Sequence, residues 1–380
     1  MSSPSERMKK RLPVPYTDFL PEEIRRNVGK WADRRFHGEG IIEHISNTGE
    51  SVFTVKVGSP PNVRFSTQTL RKLSDIADKH GIGALRFTRA GNVELLAHSL
   101  EGALEMKRSV EGLGYYTGGW GNTLWSIGSC TAYLTCTTAV VDSPSLTKVL
   151  YDRLTPYFTG EASLPAKLRI NVGGCPTGCG GLVADIVVIG HYGDAPSYDP
   201  EKIKRCLPMN ADALDKAVPE LVMVCPVNAI RAYKKPDNTV GIDIIRDKCI
   251  ACGRCRDVCD HITWDQSKIG VSVLVGGKSS NTGDGPALAR VLVPWVPARP
   301  PDFREVVAVV QKLIDVWKSD AGPGERLADY AHRVGLQALQ ETMRVPITRW
   351  NKPTAFGTGF GVRQFFPSFA GTPPRERGSR

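Results

Sequence analysis

The cysteines of this chain are spaced in a way that suits metal binding. There are ten among 380 residues, and eight of them fall into short spaced groups. The stretch DKCIACGRCRDVCD places two residues between successive members of the set Cys249, Cys252 and Cys255, which is the spacing with which ferredoxins hold a [4Fe–4S] cluster. A zinc site is the alternative, but zinc ribbons use two separated CxxC pairs. Iron–sulfur binding is therefore the favoured interpretation.

The fourth ligand of this cluster is predicted upstream of the CxxCxxC run. In ferredoxins with two clusters, the last cysteine of each run serves the cluster of the other run. Cys225, which is followed by Pro226, fits the position of such a donated ligand. Upstream of Cys225 there is no partner run, so we expect one cluster here and expect Cys259 and Cys206 to be free thiols.

A second group of four cysteines indicates a second iron–sulfur site. GSCTAYLTC separates Cys130 and Cys136 by five residues, and NVGGCPTGCGG separates Cys175 and Cys179 by three. The second pair lies between two apolar stretches and beside glycines, which predicts a loop that leaves a buried strand and lets the backbone approach a bulky cofactor. Four soft thiolates suit an iron–sulfur cluster; two unrelated pairs of buried cysteines are the alternative.

Alternating and amphipathic patterns predict the elements that hold these groups. VFTVKV alternates as a strand, and TQTLRKLSDIADKHG predicts a helix with one apolar face that ends at a glycine. ALRFT and VELLAHS return as strands and complete a βαβ-like unit. Beyond the cysteines, GVSVLVGG predicts a strand and DFREVVAVVQKLIDVW predicts a helix with its apolar side toward the core.

Composition and charge narrow the class of protein. Hydrophobic residues make up 41% and charged residues 23%, which is ordinary for a globular protein. The sequence has no apolar run long enough to span a bilayer and no apolar signal-peptide core near its start, so we expect a cytoplasmic protein without a membrane span. The net charge of +10 is scattered, which favours acidic small molecules or an acidic partner over nucleic acid.

Several stretches resemble the sirohaem sulfite and nitrite reductases. Their signature is C-x5-C followed by C-x3-C, and LRFTRAGNVELL is similar to their arginine-bearing strand. The inserted ferredoxin run, VLVGGKSS and VLVPWVPARPP resemble the dissimilatory sulfite reductases. Within those, NVGKW, LSDIADKHGIGALRFT and GERLADYAHRVG look most like the beta subunit.

The resemblance implies an α+β fold in which a sirohaem sulfite reductase-like α/β module follows a ferredoxin-like half-domain and carries an inserted [4Fe–4S] ferredoxin domain. The implied parts are an N-terminal segment (1–50), the half-domain (51–118), the first part of the sirohaem module (119–205), the inserted ferredoxin domain (206–268), the remainder of the module (269–345) and an extended C-terminal arm (346–380). The arm is rich in glycine, proline and phenylalanine, so we expect it to wrap a partner or to be partly disordered.

The resemblance also implies a reaction, its cofactors and its partners. The family reduces sulfite to sulfide with six electrons at a sirohaem that is coupled to a [4Fe–4S] cluster through the last cysteine of C-x3-C, which is Cys179 here. The inserted cluster relays electrons. The eight ligands of the two clusters are implied to be Cys130, Cys136, Cys175, Cys179, Cys225, Cys249, Cys252 and Cys255. Implied partners are an alpha subunit in an α2β2 complex, a small sulfur-carrier protein and an electron donor.

Anionic sulfite and the carboxylates of sirohaem require cationic donors, and the planar fork of arginine suits them. Candidates for cofactor binding, besides Cys179, are Arg64, Arg86, Arg89, Arg169 and Lys278. Arg86, Arg169 and Lys167 are predicted to be catalytic, and Lys167 shares the strand face of Arg169 if that strand is regular. The alternative for each is a solvated surface charge.

Three positions depart from the beta-subunit pattern. That pattern has adjacent cysteines at Gly174 and Cys175 and none at Cys130, whereas this chain carries the four-cysteine set of the wider superfamily. The second strand arginine of the pattern falls at Ala90. The proline that usually follows the ferredoxin run is Asp260.

Other functions stay open at this stage. One is a sirohaem nitrite reductase or assimilatory-type sulfite reductase, against which the ferredoxin insertion argues. Another is a subunit with only an electron-transfer role or a structural sirohaem. A third is a sulfite reductase that runs backwards in sulfur oxidation.

Overall fold

The computed structural model describes residues 20–38, 40–179, 181–207, 209, 218–279 and 285–345. The chain divides into two compact units: the first is the chain up to Ser126 with Thr155–Ser163, and the second is Ile127–Leu154 with the chain from Leu164 onward. The predicted C-terminal arm at 346–380 lies outside the described residues. Within the described ranges, no helix has the length and apolar character needed to cross a membrane.

The first unit is built on a five-stranded antiparallel sheet of order β1-β2-β3-β5-β4. Its strands are β1 (Trp31–Gly38), β2 (Ile41–Ser46), β3 (Ser51–Val57), β4 (Leu85–Phe87) and β5 (Val93–Ala97). Its helices are α1 (Glu22–Arg26), α2 (Thr67–His80) and α3 (Leu100–Gly112).

Helices α2 and α3 cover one face of this sheet. Each begins at a serine whose side chain accepts a hydrogen bond from a backbone N–H in the first turn: Ser66 from Thr69 and Ser99 from Gly102, which satisfies donors that the helix itself leaves unpaired. The apolar face predicted for α2 is confirmed, because Leu73 is buried in the same core as strand residues of β3 and β5.

Strands β1 and β2 fall in the predicted N-terminal segment, so the sheet begins earlier than the sequence pattern indicated. Seven of the eight residues of β1 are exposed, and an edge strand of this kind lacks the apolar alternation that reveals a strand.

The second unit contains a mixed sheet of order β14-β13-β8-β7-β6 and an insertion with two small sheets. Its strands are β6 (Leu124–Ser129), β7 (Leu168–Gly173), β8 (Ile186–Tyr192), β9 (Ser197–Tyr198), β10 (Ile230–Lys234), β11 (Val240–Ile244), β12 (Ile262–Thr263), β13 (Ile269–Val275) and β14 (Arg290–Pro297). Its helices are α4 (Ser143–Thr159), α5 (Val218–Met223), α6 (Cys255–Val258), α7 (Arg304–Asp320), α8 (Leu327–Val334) and α9 (Leu336–Thr342). Strand β6 and helix α4 each contribute residues to both units.

The insertion connects the end of β8 to the start of β13, and these two ends lie next to each other in the mixed sheet. Strands β8 and β13 are antiparallel neighbours, and Tyr192 is paired with Ile269. Within the insertion, Ser197 and Tyr198 pair with Thr263 and Ile262. The insertion therefore starts before residue 206, the predicted boundary. The sequence did not indicate this earlier start, because the two-residue strand β9 is too short to leave a pattern.

The predicted strand after the insertion and the predicted helix α7 are confirmed. Strand β13 runs through GVSVLV, and Val306, Val310, Leu313 and Trp317 of α7 are fully buried. Burial on one stripe of a helix is the pattern that a 3.6-residue period produces.

Candidate cofactor-binding centre

Neighbouring strands bring the first two cysteine pairs together. Cys130 directly follows β6, and its N–H donates to the carbonyl of Val172 in β7 (3.1 Å). The backbone N–H of Gly174, just past β7, donates to Cys130 Sγ (3.0 Å). The loop of Cys175 therefore lies against the loop of Cys130, as a site shared by the two pairs requires.

Thr138 joins Cys136 to Cys175. Its Oγ1 lies 3.2 Å from Cys136 Sγ and 3.7 Å from Cys175 Sγ. The hydrogen bonds from Thr138 lower the pKa of Cys136, which favours the thiolate, the form that binds metals.

Cys179 completes the first group. Burial raises the pKa of its thiol, and the neighbouring thiols of Cys175, Cys130 and Cys136 raise it further. Neighbouring thiolates disfavour the charged form of the Cys179 sulfur until cations neutralise the group. Cys179 is also exposed as a residue while Cys175 is buried.

A glycine on β8 allows the Cys175 loop to approach the sheet. A Cβ atom on Gly190 would lie 2.2 Å from the carbonyl oxygen of Gly174, which no other residue type could tolerate. The same carbonyl accepts hydrogen bonds from Val140 and Val141, so the loop is held from both sides.

The second group of cysteines gathers inside the insertion. Cys225, Cys249 and Cys252 pack on a small apolar core. Burial, followed by the thiols of Cys252, Cys249 and Cys225, raises the pKa of Cys255 to about 12. Backbone N–H groups point at the sulfurs: Ala229 donates to Cys225 Sγ (3.2 Å), and Ala251 donates to Cys249 Sγ (3.4 Å). N–H groups around cluster sulfurs are among the features that set cluster potentials.

Both groups suit iron–sulfur clusters by the chemistry of their donors. Each offers four soft sulfurs, and none of the eight cysteines takes part in a disulfide. The metal-binding form of a cysteine is the thiolate, so binding of cationic iron to these groups would release the thiol protons.

Cys206 and Cys259 form a disulfide bond, so the expectation of free thiols was wrong. Cys206 follows a short helical turn at Ile203–Arg205, and Cys259 follows α6. The pairing of β9 with β12 in the same part of the insertion brings distant parts of the chain together. Spacing in the sequence could not reveal this partnership.

The arginines predicted in the first unit occupy different settings. Arg86 lies on β4, and its Nε donates to the buried carboxylate of Glu94 on β5 (2.6 Å) while its side chain is 66% exposed. Arg89 is exposed in the turn after β4, and Arg64 is exposed after a turn at Pro61–Val63. Strand β4 ends at Phe87, so Arg89 lies beyond the strand that carries Arg86.

The cationic residues predicted in the second unit lie at the start of β7 or next to α8. Arg169 lies on β7 and Lys167 directly precedes it; both are half-buried and flank the fully buried Leu168. Lys278 is only 3% exposed and forms an ion pair with Asp329 of α8. The roles of these three residues stay predictions.

Sequence reasoning missed a buried ion pair beside these cations. Asp185 is fully buried; its carboxylate accepts from Arg326 (2.6 Å) and from the backbone N–H of Arg169 (2.9 Å). Burial raises the pKa of Asp185, although the Arg326 guanidinium opposes that shift. The signal in the sequence was an acidic residue inside the apolar run LVADIVVIG, which a surface position would not explain.

Comparison with known proteins decides what this centre belongs to. Residues 44–110 match the nitrite/sulfite reductase ferredoxin-like half domain, and residues 120–352 match the nitrite and sulphite reductase 4Fe-4S domain. The beta subunit of dissimilatory-type sulfite reductase from Archaeoglobus fulgidus is 30% identical over 346 residues, which cover 89% of this chain and 90% of that protein. This chain belongs to the dissimilatory-type sulfite reductase beta subunits.

Two further likenesses agree. The same subunit from Nitratidesulfovibrio vulgaris is 30% identical over 337 aligned residues, which cover 85% of this chain and 85% of that protein. A crystal structure of dissimilatory sulfite reductase I matches with a TM-score of 0.72 at 21% identity, over 92% of this chain and 87% of that one, which shows the fold. A dissimilatory sulfite reductase subunit is an oxidoreductase component that works with iron–sulfur and sirohaem-type cofactors.

Proposed function

We propose that this chain reduces sulfite to sulfide as the beta subunit of an α2β2 complex, with one sirohaem and two [4Fe–4S] clusters per chain. The observation that supports this most strongly is the gathering of two separate sets of four thiols within one compact unit. The cysteines of the first set would hold the cluster beside sirohaem, and those of the inserted segment would hold the cluster that receives electrons. The relatives named as alpha subunits support the choice of partner.

Cys179 carries the central role in this proposal, because its sulfur would be a ligand of both the cluster and the sirohaem. A sirohaem coupled to a cluster would supply the chemistry that passes six electrons from the donor to bound sulfite. Cys179 is exposed whereas the other three cysteines of its group are less exposed, and this supports the double role. An electron donor and a small sulfur-carrier protein complete the proposed set of partners.

The cationic side chains bind and orient the anions. Arg86, Arg169 and Lys167 would donate to the sulfite oxygens and stabilise the charge that develops as S–O bonds break. Arg64, Arg89 and Lys278 would donate, with Arg86 and Arg169, to the carboxylates of sirohaem. The fixed Nε contact with Glu94 leaves the outer nitrogens of Arg86 for an anion.

The test is production of the chain together with its alpha subunit. We expect the complex to show sirohaem absorption and to oxidise reduced viologen when sulfite is added. Cys179→Ser should abolish sulfite reduction while the cluster of the inserted segment remains visible by electron paramagnetic resonance. A complex without sirohaem, or a fully active Cys179→Ser variant, would overturn the proposal.

A further inference from the structure

Two aromatic side chains lie between the two groups of thiols. Tyr192 is the last residue of β8, and Trp264 follows β12. Their rings are stacked, with centroids 4.4 Å apart and planes 14° from parallel. Both side chains are almost completely buried, so this stack is part of the interior where the insertion joins the mixed sheet.

Trp264 is on the side of the inserted thiols. It lines the small cavity that is also lined by Cys225, Cys249, Cys252 and Cys255. No other tryptophan among the described residues lines this cavity. Trp264 would therefore contact, or nearly contact, a cluster held by these four sulfurs.

Tyr192 reaches the other group. A neighbouring pocket of about 380 Å³ is lined by Cys175 and Cys252 and by both aromatic residues. Burial raises the pKa of the Tyr192 hydroxyl against the opposing effect of Arg256, and the thiols of Cys175 and Cys255 both lie near enough to raise it further. One phenol thus lies near a thiol from each group.

The surroundings hold the stack in place. Arg256 hydrogen-bonds the Tyr192 hydroxyl, and the pairing of Tyr192 with Ile269 fixes its backbone where the insertion joins the sheet. The adjacent His191 contacts the carbonyl of Ile250 (3.2 Å), which links β8 to the cysteine loop of the insertion.

We infer that the stacked rings of Tyr192 and Trp264 form the packed path by which electrons pass from the cluster site of the insertion to the cluster site beside Cys175. This inference rests on the proposed function. In each step one electron leaves the inserted cluster, which is oxidised, and enters the other cluster, which is reduced; no bond breaks and no proton moves. The rings stay neutral and closed-shell. They act by placing covalently bonded, closely packed atoms between the two cluster sites, where electrons would otherwise have to cross open space.

The test uses the complete complex with the alpha subunit. Tyr192→Leu and Trp264→Leu remove one ring each, and Tyr192→Phe is the matched control that keeps the ring and loses the hydroxyl. Iron content and sirohaem absorption are measured first. Reduction of each cluster after rapid mixing with a viologen radical is then followed by freeze-quench electron paramagnetic resonance.

We expect both leucine variants to reduce the inserted cluster at the normal rate and the second cluster several-fold more slowly, with Tyr192→Phe unchanged. Leucine variants that fill both sites and reduce both clusters at normal rates would overturn the inference, and so would a Tyr192→Phe variant as slow as Tyr192→Leu. If a leucine variant loses a cluster, Tyr192→Met and Trp264→Met preserve more volume and are judged by the same criterion. Failure of the proposed function would be evident separately, as missing iron or sirohaem in the unchanged complex.

Discussion

At the scale of single residues, Arg86 and Arg89 differ more than their spacing in the sequence indicates. Arg86 is fixed at Nε by Glu94, whereas Arg89 is exposed in a turn beyond the strand. We predict that Arg86→Gln loses about 3 kcal/mol of transition-state stabilisation, on the order of a 100-fold loss of rate, as removal of one anion-stabilising donor typically does. Arg89→Gln should have a mild effect, because it removes one of several proposed donors to the sirohaem carboxylates and none to sulfite. Steady-state sulfite reduction by the two variant complexes measures this.

Arg86→Gln also leaves the buried Glu94 carboxylate without its cation, so a control must separate stability from catalysis. Arg86→Lys keeps the charge but not the planar fork, and thermal unfolding of all three variants reports any loss of folding. A severe defect in Arg89→Gln beside a normal Arg86→Gln would mean that the turn, not the strand, supplies the anion contact.

The two groups of thiols could be predicted from sequence because cluster motifs are local, but their surroundings could not. CxxCxxC and the two spaced pairs identify seven cysteines without any knowledge of the fold, and the Cys-Pro step at Cys225 identifies the eighth. Thr138, Glu94 and Asp185 carry no motif, and their contacts arise only when strands pair or loops close. The partner of Cys206 likewise depends on tertiary structure.

At the scale of elements, the Asp185–Arg326 pair joins β7, the loop before β8 and the start of α8. Removal of one partner from a buried ion pair leaves the other charge without compensation, which typically costs about 3–5 kcal/mol. We therefore predict that Asp185→Asn lowers the stability of the chain by about that amount. Asp152→Asn, which removes the exposed i,i+4 partner of Lys148, is the matched control and should cost less than about 1 kcal/mol. Denaturant unfolding of both variants checks the difference, and equal losses would contradict it.

The disulfide of the insertion supports a second prediction at this scale. Cys206 and Cys259 are 53 residues apart, and closing a loop of that length is worth about 4 kcal/mol in the chain-entropy model. Cys259→Ser should therefore unfold more easily than the unchanged chain under oxidising conditions, with its iron content intact. Added dithiol reductant should remove the difference. Loss of one cluster in Cys259→Ser would mean that Cys259 is a ligand.

Regular elements could be predicted where burial is one-sided, and not elsewhere. Helices α2 and α7 were predicted because each hides one stripe of apolar side chains, which fixes the period. Strand β1 was missed because its side chains are exposed on both faces, and β9 was missed because it has two residues. Both are positioned by their neighbours rather than by their own pattern.

At the scale of the whole molecule, the two thiol groups set the metal content. Two [4Fe–4S] clusters and one sirohaem require about nine irons per chain, and we predict this value for the purified complex after the iron of the alpha subunit is subtracted. Cys225→Ser should lose one cluster and slow electron entry without removing sirohaem. Iron analysis together with the sirohaem absorption band measures both quantities, and about five or about thirteen irons per chain would refute the count.

The last prediction concerns assembly and falls on residues 351–380, which lie outside the described residues. This segment holds five phenylalanines among glycines and prolines and ends in a basic stretch. Such a composition lacks the periodicity of a helix that could bury its own aromatic rings, so a partner surface is the place where they would be buried. We predict that deletion of residues 351–380 weakens assembly with the alpha subunit more than it affects either cluster. Deletion of residues 371–380 alone removes the basic end and no phenylalanine, and it should assemble normally. Sedimentation of the mixed subunits over a concentration series measures the affinity, and a chain lacking residues 351–380 that assembles as tightly as the full chain would rule out this role.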